Sequence, residues 1–328
     1  MHQEPHPVPI AVTGAGGTIG RRAVEELRRA GFDVAVVEPS TPDLKRVLEG
    51  IEVVVHLAFA VGSDAESAVR NVDTTTRLLD AAGAAGVAHL VLLSSAAVYG
   101  AWPNNPVPLT EDAPVRPNPG FGFAVQKAEL ERLAGEWADD HPGATLTVLR
   151  PAIPMDRDQP GFLSDVLRVR APVATGEPEV PVQFVHLDDL ASAIVHATTE
   201  RLDGVFNVAA DGWVSAGEAR ALAGTPPRVR VPDRLRALLA RIGRGPSTVE
   251  PYTMHPWVVA TDRLKATGWS PAHSNEVTVV DTTEGMPWTN LTPQRKQELL
   301  LAGSVAGIAA SLLGVVLLVR RARRRRRA

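Results

Sequence analysis

The chain has 328 residues, 45% hydrophobic and 22% charged, a balance that fits one large folded domain or two modest ones. It has no cysteine, which excludes disulfides, thiolate catalysis and cysteine-ligated metals, and its nine histidines form no ligand cluster, the one H-x-x-x-H spacing, His2 to His6, lying in the proline-rich leader, so no metal site is expected. The net charge of −3 divides into an acidic body and a tail with seven arginines in the last nine residues, a distribution unlike that of a nucleic-acid reader.

The opening MHQEPHPVP is polar and proline-rich, without a basic start followed by an apolar stretch. It reads as a short disordered leader over residues 1–7, not as a signal peptide. From residue 8 the order is strand, tight turn, helix, strand: VPIAVTG is a short apolar run, AVEELRRAG is amphipathic and stops at Gly31, and FDVAVVE is a second strand run. Between the first strand and the helix lies TGAGGTIG, with Gly14, Gly17 and Gly20 spaced three apart. Glycines let the backbone turn tightly and approach a ligand closely. The helix N-terminus beyond this turn offers N–H groups and a positive dipole end to a pyrophosphate, and Thr18 and Ile19 are counted with the glycines as cofactor-binding. Glu38 closes the second strand run, where an acid binds adenosine ribose hydroxyls and repels a 2′-phosphate. NAD is the cofactor this favours, with NADP the alternative.

The alternation continues through IEVVVHLAFA (51–60), a buried strand, NVDTTTRLLDAAGAAG (71–86), a helix with a glycine stop, and HLVLLSS (89–95), another strand. A helical stretch over 124–139 and the strand TLTVLRP (145–151) follow. Near-continuous apolar strands separated by helices indicate an α/β fold of Rossmann type, a doubly wound parallel sheet covered on both faces. In GFGFAVQK, Phe123 stands four positions before Lys127, so the two share a helix face. A tyrosine there would make a proton relay with the lysine, but phenylalanine has no hydroxyl.

Beyond 152 prolines and glycines are frequent and the rhythm weakens. Residues 289–298 form a linker and helix start, with Thr292 as N-cap and Pro293 at the first helical position. LLLAGSVAGIAASLLGVVLLV (299–319) is uncharged and, as a helix, would span about 31 Å, matching a bilayer core of about 30 Å. One C-terminal transmembrane helix is therefore expected, followed by a basic tail at 320–328. The charge rule puts the arginines in the cytoplasm, whereas the cofactor suits a cytoplasmic globular domain. The helix either spans against that rule or lies shallowly with its arginines on anionic lipid. A membrane-anchored protein with its globular domain in the cytoplasm is expected, and a homodimer.

TGAGGTIG, VVHLAFA, RNVDTTTRLLDAA, LLSSAAVYG, AVQKAELE, LRPAI, FVHLDDLASAIVHA, GVFNVAADG and LKATGWSP occur in the order found in one family. Over roughly residues 8–275 the chain resembles the extended short-chain dehydrogenase/reductase family, the NAD-dependent epimerase/dehydratase group. The resemblance implies a cofactor domain over 8–151 and an interleaved substrate lobe over 152–288, often for a nucleotide-sugar. It implies that Gly14, Gly17 and Gly20 hold the pyrophosphate and that His56, Leu57 and Ala58 line the dinucleotide cleft. Asn71 would be structural near the cofactor, Ser95 would hydrogen-bond the substrate oxygen, and Lys127 would grip the nicotinamide ribose. The segment after Arg150 and Pro151 would close over the nicotinamide. Arg157, Arg168 and Arg170 are either diphosphate partners or solvated surface charges.

Two departures from the pattern bear on function. Phe123 occupies the family's catalytic tyrosine position, leaving Ser95 through water, Tyr99 or Tyr252 as substitutes. His186, Asp188 and Asp189 read as structural, with an aspartate capping a helix. The stretch between Gly31 and Gly50 is also shorter than the family's, so Glu38 and Asp43 share the ribose and adenine roles in an order left open. Two functions follow: an oxidoreductase or epimerase with altered proton transfer on a sugar-like or hydroxylated substrate, or a non-catalytic dinucleotide-binding module, a sensor or scaffold, at the membrane.

Overall fold

The computed structural model describes residues 8–60, 65–155, 173–174, 180–223, 229–230, 248–283 and 295. The leader, Arg157, Arg168, Arg170, Thr292, Pro293, the apolar run 299–319 and the arginine tail lie outside the described residues. No helix among the described residues is long and apolar enough to cross a membrane.

The first half alternates as β1 (Pro9–Thr13), α1 (Thr18–Arg29), β2 (Asp33–Val36), α2 (Leu44–Val47), β3 (Val53–His56), α3 (Ala65–Ala85), β4 (His89–Leu93), α4 (Gly122–Asp140) and β5 (Thr145–Pro151). The strands are β-branched and apolar, and β3 and β4 are buried throughout, as parallel strands covered on both faces must be. Side chains of β1 alternate: Ile10 and Val12 face the cluster containing α1 residues Ala23, Val24 and Leu27, while Ala11 faces Leu78, Leu79 and Leu130 from α3 and α4. In α1 the buried residues Gly20, Ala23, Val24 and Leu27 recur at the spacing of one helix face.

The second half adds β6 (Ile153–Met155), β7 (Val173–Ala174), β8 (Pro181–Val182), β9 (Phe184–His186), α5 (Leu187–Thr199), β10 (Gly204–Val208), β11 (Val214–Ser215), α6 (Ala216–Leu222), β12 (Val229–Arg230), α7 (Pro251–Met254), α8 (Asp262–Lys265) and α9 (Asn275–Thr283). The main sheet has six strands in the order β10-β5-β4-β3-β1-β2, all pairs parallel. Here β10 and α5 return from the second half to complete the first, so the two units are interleaved. Helix α5 packs beside α1, and the Arg22 Nε to Asp188 Oδ1 contact of 2.7 Å links them. Strand β2 is an edge strand, and only the four-residue α2 fills the short stretch before Gly50. A second core joins Ala96, Phe121, Met155, Phe184, Tyr252, Trp257 and Val279.

Candidate functional site

The order of strands reverses between β1 and β3, whose C-terminal ends therefore open a crevice at the sheet edge. Gly14 follows β1 with φ +73, and a Cβ there would lie 2.5 Å from the backbone nitrogen of Ala58, which follows β3. A Cβ on Gly20 would lie 2.0 Å from the Gly14 carbonyl oxygen, so helix and turn meet backbone to backbone. Around Gly16, by contrast, there is open space. Gly17 is the N-cap of α1 and supplies no side-chain cap, leaving the first turn of Thr18 and Ile19 to face the crevice with its backbone. These features fit a dinucleotide pyrophosphate: close backbone approach, a helix N-terminus and no side chain in the way. Glu38 is exposed just beyond β2 at the same sheet edge, and Asp43 opens α2 in a left-handed conformation, φ 55. Leu57 is buried beneath the turn.

His56 is locked below this edge. Its Nδ1 lies 2.7 Å from Thr13 Oγ1 and its Nε2 2.9 Å from Thr75 Oγ1, and burial beside the Lys127 charge lowers its pKa to about 3. It is a neutral structural tie between β1, β3 and α3. Asn71 is structural too, accepting from the Ala60 N–H and donating to the Ala60 carbonyl and to Gln126 Oε1. It joins the segment after β3 to α4 one residue before Lys127.

Ser95, Phe123 and Lys127 gather at the C-terminal end of β4. Lys127 Nζ donates to the Leu93 carbonyl at 2.7 Å and lies 4.3 Å from the centre of the Phe59 ring. The Phe59 ring meets Phe123 edge to face, with centroids 5.3 Å apart. Burial pulls the Lys127 pKa down to about 7, although the Glu131 charge works the other way. Sequence reasoning singles out Lys127 but misses Phe59, whose role depends on a contact across the sheet that no local spacing reports. Ser95 caps the short 3-10 turn Ala96–Tyr99, its Oγ accepting from the Ala97 N–H at 3.2 Å, which leaves the hydroxyl proton to donate.

The two phenols are otherwise engaged. Tyr99 is fully buried, donates to Asn207 Oδ1 at 2.8 Å and accepts from Arg150 Nη1 at 2.9 Å; burial pushes its pKa up. Arg150 in turn grips Glu131, at 2.6 Å from Nη2, and Glu131 also accepts from Ser94. Tyr252 reaches the site from α7 and packs its ring 4.8 Å from Phe121, but its hydroxyl donates to the Ala97 carbonyl at 2.8 Å, and burial raises its pKa.

One expectation is corrected here. The cap of α5 is His186, whose Nδ1 accepts from the Asp188 N–H at 3.2 Å, not an aspartate. Asp189 is buried and instead accepts from the Ala272 and His273 N–H groups. The fold also brings His186, His273 and Asp281 together, each with a ligand atom within 4.8 Å of the others, a grouping invisible to spacing. The two imidazoles stack with centroids 4.0 Å apart. With its Nδ1 accepting from backbone, a neutral His186 carries its proton on Nε2 and offers a cation no lone pair.

The match to known proteins is extensive. Residues 10–209 fit the model of the NAD dependent epimerase/dehydratase family. A UDP-glucose 4-epimerase of Corynebacterium glutamicum is 27% identical over 327 residues, covering 83% of this chain and 93% of that protein. The uncharacterized protein y4nG of Sinorhizobium fredii is 27% identical over 312 residues, covering 83% and 76%. Among solved structures, MoeE5 in complex with UDP-glucuronic acid and NAD superposes with a TM-score of 0.65 at 24% identity, covering 86% of this chain and 98% of that one. The UDP-glucose 4-epimerase of Thermus thermophilus in complex with NAD gives 0.66 at 22% identity, covering 85% and 99%.

Proposed function

The chain belongs to the NAD-dependent epimerase/dehydratase family, and from that membership we propose that it binds NAD at the β1/β3 crevice and moves hydride to and from a hydroxylated substrate of the nucleotide-sugar class. The observation that carries this reading is the backbone contact of Gly14 and Ala58 at the point where the sheet reverses. Gly14, Gly17 and Gly20 hold the pyrophosphate, with Thr18 and Ile19 presenting the helix N-terminus. Glu38 takes the ribose hydroxyls, Leu57 and Ala58 line the cleft, and Lys127 lies at the nicotinamide end. NAD supplies the hydride acceptor when bound. Ser95 directs its hydroxyl proton to the substrate oxygen. The UDP-sugars of the relatives named above are the substrates to test first.

A second reading is a non-catalytic dinucleotide-binding module, and Phe123 favours it because the ring cannot exchange a proton. Titrating the full-length chain with NADH and following nucleotide fluorescence tests the shared premise. Turnover of UDP-glucose or UDP-glucuronic acid then supports the enzyme, and tight binding without turnover supports the module.

In both readings the apolar run 299–319 and the arginine tail tether the globular part to a membrane from its cytoplasmic side. Deleting residues 299–328 is expected to move the protein from the membrane fraction to the supernatant; a deletion variant that stays with the membrane refutes the tether.

A further inference from the structure

We propose that Lys127 itself, in place of a phenol, takes and returns the substrate proton, with Phe59 and Phe123 as the rings that position its amine; this rests on the hydride-transfer reading above. Phe123 and Lys127 stand one turn apart on one face of α4. Phe59 touches both, its ring 5.3 Å from the Phe123 centroid and its centre 4.3 Å from Lys127 Nζ. The amine therefore lies beside the ring that has no hydroxyl to offer.

The other titratable groups near Phe123 are committed elsewhere. Tyr99 is held at both ends by Asn207 and Arg150 without solvent access. Tyr252 is spent on the Ala97 carbonyl. Both nitrogens of His56 are bonded to threonines. Glu131 is bound by Arg150 and Ser94. Ser95 is a poor base, since an ordinary hydroxyl holds its proton firmly. Lys127 makes one hydrogen bond, to a neutral carbonyl, and among the described residues no carboxylate lies within ion-pair distance of its Nζ. The groups facing it are the Leu93 carbonyl from β4, neutral His56 from β3, Glu131 from its own helix and the Phe59 ring.

Near neutral pH the site thus holds an amine that exists in both charge states, with a pKa lowered by burial to about 7. In the forward step the substrate hydroxyl gives its proton to the neutral Lys127 amine, directly or through one water. The hydride leaves the same carbon with its electron pair for oxidised NAD, and the carbon–oxygen bond becomes a carbonyl. The ammonium so formed is received by the negative face of the Phe59 ring. Reversal returns the proton to the oxygen.

The test uses the full-length chain with 13C at Cε of its lysines, Lys45, Lys127, Lys265 and Lys296. The resonance missing from Lys127→Arg is expected to titrate near neutrality, and the pH profile of UDP-glucose-dependent NAD reduction to rise with the same midpoint. Lys127→Arg is expected to lose about 10²–10⁴ in kcat at saturating NAD, beyond any loss of NADH affinity, which the fluorescence titration reads separately. Phe59→Leu, which removes the ring face beneath the ammonium and keeps an apolar neighbour, is expected to lower the lysine midpoint and move the pH profile with it. A Lys127 midpoint near the ordinary value of about 10, or a pH profile that stays fixed while the lysine moves, overturns the proposal, whereas NADH binding without hydride transfer from either UDP-sugar overturns the hydride-transfer reading on which it rests. Failure to bind NADH sinks the parent reading instead.

Discussion

A methyl group placed on Gly20 would lie 2.0 Å from the carbonyl oxygen of Gly14, closer than any stable contact. The first helix and the turn preceding it are thus packed through backbone alone. Gly20→Ala is expected to cost about 3 kcal/mol or more, because neither partner is a flexible side chain. That corresponds to a fall of about 6–12 °C in Tm, together with loss of NADH binding. Gly16→Ala meets nothing within 4 Å and is expected to stay within about 0.5 kcal/mol of the parent. Calorimetric melting of both variants checks the pair, and equal Tm values would refute the backbone contact.

Phe123→Tyr puts a phenol one turn from Lys127 and against Phe59. Hydride-transfer turnover at neutral pH is expected to rise, by as much as about 10²-fold, since a positioned phenol beside a lysine is an effective general acid and base. Stopped-flow measurement of NADH formation with UDP-glucose reads the effect. A variant that binds NADH as before with no gain would show that this site lacks more than a hydroxyl.

Arg150 and Glu131 form an ion pair with both side chains under a tenth exposed. Removing one partner strands the other charge in the interior, so Glu131→Ala is expected to lose about 3–5 kcal/mol in urea unfolding. Tyr99→Phe, which gives up two hydrogen bonds in the same network, is expected to lose about 1–3 kcal/mol. It should leave the pH profile of turnover where it was. A displaced profile would make Tyr99 a proton-transfer group after all.

His56 and His89 are neutral in the folded protein, their pKa values lowered by burial first, to about 3 and about 4. Lys127 adds to the shift in the first and Arg201 in the second. In the unfolded chain each takes up a proton near pH 6.5. The unfolded state therefore binds more protons between the two values, and stability falls as pH drops through that window. Between pH 7 and pH 5 the two together are expected to cost roughly 2–4 kcal/mol. Urea midpoints at those pH values check this, and His56→Asn should flatten the slope.

Much of this was written locally. The glycine spacing between a strand run and a helix run, and the apolar periodicity that shows the parallel sheet, depend on neighbours within a few residues. The presence of α1 and α4, the glycine spacing of Gly14, Gly17 and Gly20, and the pairing of Phe123 with Lys127 on one face could all be read that way, although α1 begins at Thr18, five residues ahead of the amphipathic run. The cap of α5 could not. Aspartate is the common choice there, but Asp189 was claimed by the distant His273 and Ala272 backbone, and His186 took the position. The stacking of His186 on His273 likewise joins β9 to the loop before α9 across most of a hundred residues.

The amino-acid order alone determined the alternation of strands and helices, the tight glycine turn, the phenylalanine one turn before Lys127 and the uncharged run near the C-terminus, because each is a matter of side-chain type and short-range period. Only the folded chain decided that Lys127 would sit at the C-terminal end of β4 against Phe59, and that both tyrosines would be used up in hydrogen bonds. Those outcomes depend on which groups compete for the same buried space, and burial is a property of the packed sheet and its two layers of helices, not of any stretch of sequence.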